Sequence, residues 1–196
     1  MLAANQAFSA LPAQRAVVQF LGLSSFFLLC VSLIVGPLAV LKPAMFAQLI
    51  EPRKAVGIAA FVFTALHALF VLSLYFKWDL ASVFAFFPLV IALPAFVILL
   101  ALALTSSDWA TKKLGMANWK LLHRFVYIAF ALSMWHFVLQ ANGLFSNPLI
   151  PGMVAFSNLA EIALLLLGLA TIALQAAGFY VYGKRRAAGS NPAASE

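Results

Sequence analysis

Five long apolar runs separated by short polar segments dominate the chain: Ala16–Leu41, Ala55–Phe76, Ala81–Leu104, Leu121–Gln140 and Val154–Tyr182. Each reaches the roughly 20 residues that a helix needs to cross a bilayer at 1.5 Å per residue. The expected fold is all-α, an integral membrane bundle of about five transmembrane helices, with its termini on opposite sides. The first run is too long for a signal-peptide core, has only Arg15 as a basic residue just ahead of it and shows no obvious cleavage site, so it is expected to stay as a helix. Pro37, Pro88 and Pro94 are expected to kink helices or mark where they begin. Residues 1–183 form one transmembrane domain, and 184–196, basic and then rich in Ala, Gly and Ser, a disordered tail.

Composition agrees with this pattern: 65% of the 196 residues are hydrophobic and 9% charged, with a mean hydropathy of +1.06, far from the balance of a soluble domain. Cys30 is the single cysteine, which excludes an internal disulfide and a thiolate-based zinc or iron–sulfur site within the chain. Metal chemistry would have to rest on histidine. The sequence holds no phosphate-binding glycine loop, no carboxylate pair arranged for acid–base work and no nucleophile beside a base, so hydrolase and transferase chemistry has no residues to stand on. No internal repeat argues for a transporter of inverted halves.

The net charge of +7 reads as topology and not as nucleic-acid binding, because the basic residues gather in the short loops. Lys42, Arg53, Lys54, Lys112, Lys113, Lys120, Arg124, Lys184, Arg185 and Arg186 share one face, leaving Arg15 and Lys77 on the other. The positive-inside rule makes the first face cytoplasmic, with the N-terminus outside and the C-terminus cytoplasmic.

All three histidines, His67, His123 and His136, fall inside the apolar runs. An imidazole in lipid is costly unless neutral, hydrogen-bonded or bound to something, which makes each a candidate site. His67 lies about 20 Å along the second span from its cytoplasmic start, and His136 reaches a similar height on the fourth. Two imidazoles at one depth on separate helices are what a six-coordinate b-type haem needs, an iron centre that moves single electrons and leaves no position open for substrate. The plainer alternative is that each histidine merely hydrogen-bonds a neighbouring carbonyl.

His123 sits near the cytoplasmic surface, about 20 Å below His136 on the same span and on a different face of an ideal helix. No second histidine matches its depth, which is taken on the second span by Arg53 and Lys54. One haem is therefore expected on His67 and His136; a second on His123 would need a ligand that is not a histidine of this chain. Arg53, Lys77 and Arg124 are candidates for propionate contacts. Glu161, near the outer end of the last span, would relay a proton, touch a quinol head group or simply reach the interface. Trp78, Trp109, Trp119 and Trp135 read first as interface anchors, and Phe125, Phe130 and Phe137 as packing or a porphyrin lining.

The segment from Leu100 to Phe137, with Thr105-Ser106 closing the third span, Leu114-Gly115, Trp119, Leu122-His123 and Phe125-Val126-Tyr127, together with Arg53-Lys54 and Leu66-His67, resembles the ferric-reductase-like transmembrane family. Within it the chain is similar to MsrQ-type haem-binding membrane subunits of periplasmic methionine sulfoxide reductase systems. The resemblance implies a haem-bearing bundle in the bacterial inner membrane, with His67, His123 and His136 at the family's haem-histidine positions. It further implies electron transfer from a cytosolic flavin reductase or the quinone pool to a periplasmic reductase subunit. Five spans are expected here where six are common among MsrQ-type proteins, and no segment is expected to form a fused flavoprotein domain. Two alternatives stay open: a haem-poor accessory subunit of a larger membrane redox or photosynthetic complex, and a proton pathway built on the histidines.

Overall fold

The computed structural model describes residues 12–140 and 154–189, all of them helix, turn or loop and none in a strand. In chain order the elements are α1 (Pro12–Leu41), α2 (Pro43–Phe46) with a 3-10 turn (Ala47–Leu49), α3 (Arg53–Phe70) continued by a π-turn (Val71–Tyr75), α4 (Leu80–Ala85), α5 (Phe87–Leu104), α6 (Asp108–Leu114), α7 (Met116–Arg124), α8 (Val126–Gln140) and α9 (Val154–Gly189). Five segments are long and apolar enough to cross a membrane: Ala13–Leu41, Arg53–Tyr75, Phe87–Leu104, Met116–Gln140 and Leu159–Ala187. The protein is an all-α, multi-pass membrane bundle.

Local chemistry explains where the elements break. The third apolar run divides at Phe86, whose backbone is extended (φ −97°, ψ 99°), and α5 then starts with Pro88 in its first turn. A proline there loses nothing, since first-turn N–H groups have no helical partner. Asp79 caps α4 by accepting from the Ala81 and Ser82 amides. The Ser82 hydroxyl and amide hydrogen bonds hold its carboxyl below the ordinary carboxylate range. Just before it, Lys77 and Trp78 adopt left-handed backbone at φ 48° and 64°, a conformation that crowds any Cβ. Ser107 caps α6 through the Ala110 amide at 3.1 Å, with Asp108 in the first turn and Lys112 and Lys113 in the last, in line with the helix dipole. The fourth run begins earlier than its hydropathy suggests, at Met116, and is interrupted at Phe125 between α7 and α8. The basic segment Lys184–Arg186 was expected in a disordered tail; α9 instead carries it on to Gly189. Arg185 Nη1 donates to the Val40 carbonyl at 2.9 Å, tying that helix end to the end of α1. Residues 190–196 lie outside the described residues.

The helix α1 is the hub, packed along α3 and α9, while α5 and α8 form a second pair. Its contacts with α3 run antiparallel, from Val18 against His67 to Ser32 against Arg53. With α9 they run parallel, from Gln19 against Glu161 to Leu33 against Gln175. The core holds Phe26, Leu29, Cys30 and Leu33 of α1 against Ala60, Leu99, Ala129 and Phe130. Phe26 stacks on both Phe130 and Phe137, with ring centroids 5.7 and 5.2 Å apart. Small residues permit the close approach of α9: a Cβ on Gly178 would come within 3.0 Å of Pro37 Cβ, the kind of contact that drives helix association in lipid. The buried Thr171 donates to the Leu167 carbonyl at 2.8 Å, and the half-buried Gln175 donates to the Leu33 carbonyl at 2.7 Å. The long rows of exposed Phe, Leu, Ile and Val on the spans meet hydrocarbon.

These registers give the bundle two distinct ends. One carries Lys54 paired with Asp108 at 3.1 Å and Arg185 on Val40. The other carries the His67, His136 and Glu161 contacts.

Candidate functional site

A cleft of about 1130 Å³ opens at the second of these ends, lined by α1, α3 with its π-turn, α4, α5, α8 and the start of α9. Its walls are mainly apolar, among them Val18, Phe26, Phe96 and Phe137, and both His67 and His136 face it.

The two imidazoles are fixed in the same way from different helices. On α3, His67 Nδ1 lies 3.0 Å from the Val18 carbonyl of α1; on α8, His136 Nδ1 lies 2.9 Å from the Pro88 carbonyl of α5. A carbonyl only accepts, so Nδ1 carries the proton in each ring and donates it. The neutral ring then keeps its lone pair on Nε2, the tautomer of a metal-ligating histidine whose other nitrogen is anchored by a backbone acceptor. The ring centroids lie 6.4 Å apart with planes at 72°. Two imidazoles bound end-on through nitrogen, each about 2 Å from one metal ion, place their centroids roughly 6 Å apart. The observed separation fits a shared ion, and it is too wide for the rings to bond to each other.

Gly22 seats this pair. A Cβ built there would lie 3.0 Å from both Cε1 and Nδ1 of His67, so the imidazole rests on backbone that only glycine leaves open. The π-turn follows His67 by one helical turn, its Phe76 amide reaching back to the Val71 carbonyl at 3.3 Å. It turns Val71, Leu72 and Tyr75 toward the cleft. Such single π-turns recur beside functional residues.

Among the described residues no three His, Cys, Asp or Glu side chains come together to hold a metal ion. A protein-only site would need more ligands than this pair supplies. A porphyrin supplies four nitrogens of its own and asks the protein for two axial ones, an apolar slot and no further donor. The donor set, the tautomers and the greasy walls fit that group.

His123 stands apart at the basic end. Its Nδ1 bonds its own helix at the Trp119 carbonyl, 3.1 Å away, its ring stacks on the Trp119 indole at 3.9 Å, and its Nε2 is buried with no partner among the described residues. Trp119 is therefore not a simple interface anchor: its Nε1 donates to the Thr105 carbonyl at 2.9 Å and joins α7 to the end of α5. Of the basic candidates, Arg53 lays its guanidinium against Gly36, near enough to act electrostatically on His123. Arg124 is exposed at the end of α7, and Lys77 is exposed in its left-handed turn and does not line the cleft. Among the described residues, the basic side chain lining the cleft is that of Arg15, which the sequence pointed to only for topology and the character of the first span. Phe137 lines the cleft, Phe130 is in the core and Phe125 is exposed. Gly22, Val18 and Pro88 were also passed over, since a backbone carbonyl or a bare Cα carries no chemical signature in sequence.

A family model for the ferric reductase like transmembrane component matches residues 21–134. The magnetosome protein MamZ of Magnetospirillum gryphiswaldense is 36% identical over 132 residues, covering 64% of this chain and 20% of that protein. The protein-methionine-sulfoxide reductase heme-binding subunit MsrQ of Enterobacter sp. is 32% identical over 163 residues, 81% of this chain and 80% of the relative. MsrQ of Agrobacterium fabrum is 31% identical, and the match covers 60% of its length. The chain thus spans most of one relative and only a fifth of another. No solved structure matches it.

Proposed function

The chain belongs to the ferric reductase like transmembrane family, and on that footing we propose that it holds one b-type haem between His67 and His136 and passes single electrons through the membrane. The observation that carries this reading is the matched pair of anchored imidazoles: two rings on different helices, each with Nδ1 held by a distant backbone carbonyl, with centroids 6.4 Å apart in an apolar cleft. The relatives named as heme-binding subunits support it.

Each part of the site has a task in this reading. Val18 and Pro88 orient the rings and fix their tautomers; Gly22 leaves room for the first ring; Phe26, Phe96 and Phe137 keep water from a porphyrin held there. A haem held there by His67 and His136 would supply one-electron chemistry. We place the basic end in the cytoplasm by the positive-inside rule and the cleft near the periplasmic face of a bacterial inner membrane. A cytoplasmic flavin or membrane quinol donor and a periplasmic redox partner complete the path. His123 and Arg53 lie on the cytoplasmic side of it, and a lone histidine there holds no second haem by itself.

The test is the dithionite-reduced visible spectrum of the purified protein. A sharp α band in the b-haem region, unchanged by carbon monoxide, is expected because His67 and His136 would both hold the iron; His67→Ala and His136→Ala should lose the band or become reactive to carbon monoxide. A colourless wild-type protein would overturn the reading and favour an accessory role.

A further inference from the structure

Glu161 presents a buried carboxyl to the same cleft. It is 9% exposed; Oε1 accepts from Gln19 Nε2 at 3.3 Å, and Oε2 is enclosed with no partner among the described residues. Gln19 follows Val18, whose carbonyl anchors His67, and lies one helical turn from Gly22, on which His67 rests. The carboxyl therefore stands one side chain beyond the histidine pair along α1. An isolated buried carboxylate is expensive to leave charged in an apolar setting, whereas a carboxyl with one unpaired oxygen has room for a proton.

We propose that Glu161 is the redox-linked proton site of this centre: as one electron arrives at the histidine-held iron from an external donor, one proton from solvent binds Glu161 Oε2, and it leaves when the electron does. The balance is one electron and one proton per turnover, with no bond broken other than O–H. The physical reason is charge. Adding an electron in a low-dielectric cleft raises the cost of a second negative charge nearby, and the proton cancels it. The other ionisable groups near Glu161 do not substitute for it. Arg15 of α1 lines the cleft and acts on Tyr75 at the end of the π-turn, but a guanidinium stays charged throughout. Tyr75 is neutral across the working range. On α3 and α8, His67 and His136 have Nδ1 committed to carbonyls, and their Nε2 atoms would hold the iron. The inference rests on the haem reading above.

Redox titration of the haem-loaded protein at a series of pH values tests it. The midpoint potential should fall with rising pH over an interval of at least one unit, approaching 59 mV per unit, the value of a tenfold change for one electron. In Glu161→Gln the slope over that interval should flatten while the haem content stays unchanged. Reduced-minus-oxidised infrared spectra give a second readout: a protonated-carboxyl band that shifts in heavy water, is absent in Glu161→Gln and moves to higher frequency in Gln19→Leu. Equal slopes in wild type and Glu161→Gln, or a carboxyl band that survives Glu161→Gln, would overturn the assignment and leave the haem reading intact. A protein without haem would sink both, and the spectrum alone would show it.

Discussion

His67 and His136 reach each other across two helices with ring centroids 6.4 Å apart, and neither ring bonds to the other. Each is held from behind, by Val18 at 3.0 Å and by Pro88 at 2.9 Å. Hydrogen bonding to a carbonyl is the ordinary explanation for a membrane histidine, and it holds here at Nδ1; it leaves Nε2 of both rings for a shared ligand. The two readings of these residues are therefore one arrangement, in which the carbonyl bond prepares the ring for ligation.

Gly22→Ala should loosen the site without dismantling the fold. The new Cβ would meet His67 at 3.0 Å, and the ring must shift by a few tenths of an ångström or rotate off Val18. Haem retention in detergent, read by the ratio of haem to protein absorbance, is expected to fall severalfold, in the range of 10- to 100-fold in affinity that outer-shell changes typically cost. Full retention would mean that the seat has slack.

Phe26→Ala should lower stability more than any substitution on the lipid-facing surface. The ring is 5% exposed and stacks on Phe130 and Phe137, so its loss opens a void costing about 3–5 kcal/mol. A drop in the unfolding midpoint measured in detergent, accompanied by easier haem loss, is the expected result; a change near zero would place the core elsewhere.

His123→Ala should leave the reduced spectrum and the haem content unchanged, since its ring is tied to Trp119 at the opposite end of the bundle. Loss of half the pigment in this variant would reveal a second haem held with a ligand from outside the chain's histidines.

Trp119→Phe removes the indole donor to Thr105 but keeps an aromatic face for His123. A cost of about 1 kcal/mol is expected from leaving a half-buried carbonyl without its donor, again measured as a lower unfolding midpoint with the haem spectrum preserved.

Much of this was legible in the sequence. Runs of about 20 apolar residues marked the five spans because a single apolar segment of that length satisfies its own backbone in lipid as a helix, and counting residues from the basic loops placed His67 and His136 at one depth. Pro88 marked the start of α5, just after the break at Phe86; the junction at Phe125 was not legible, because hydropathy does not sense backbone direction within an apolar run. The roles of Gly22, Val18 and Pro88 were hidden for a different reason: they act through an absent side chain or a backbone oxygen, and only the register between helices reveals what those meet. Lys77 was weighed as an outer cation by loop position alone, whereas the left-handed turn holds it exposed and Arg15, a full helix away in sequence, lines the cleft.

The haem-to-protein ratio by the pyridine haemochrome assay, taken on the wild type and on His67→Ala and His136→Ala, bears most directly on the central claim. One haem per chain in the wild type and close to none in either variant is the predicted outcome. A full complement of haem in both variants, or none in the wild type, would contradict it.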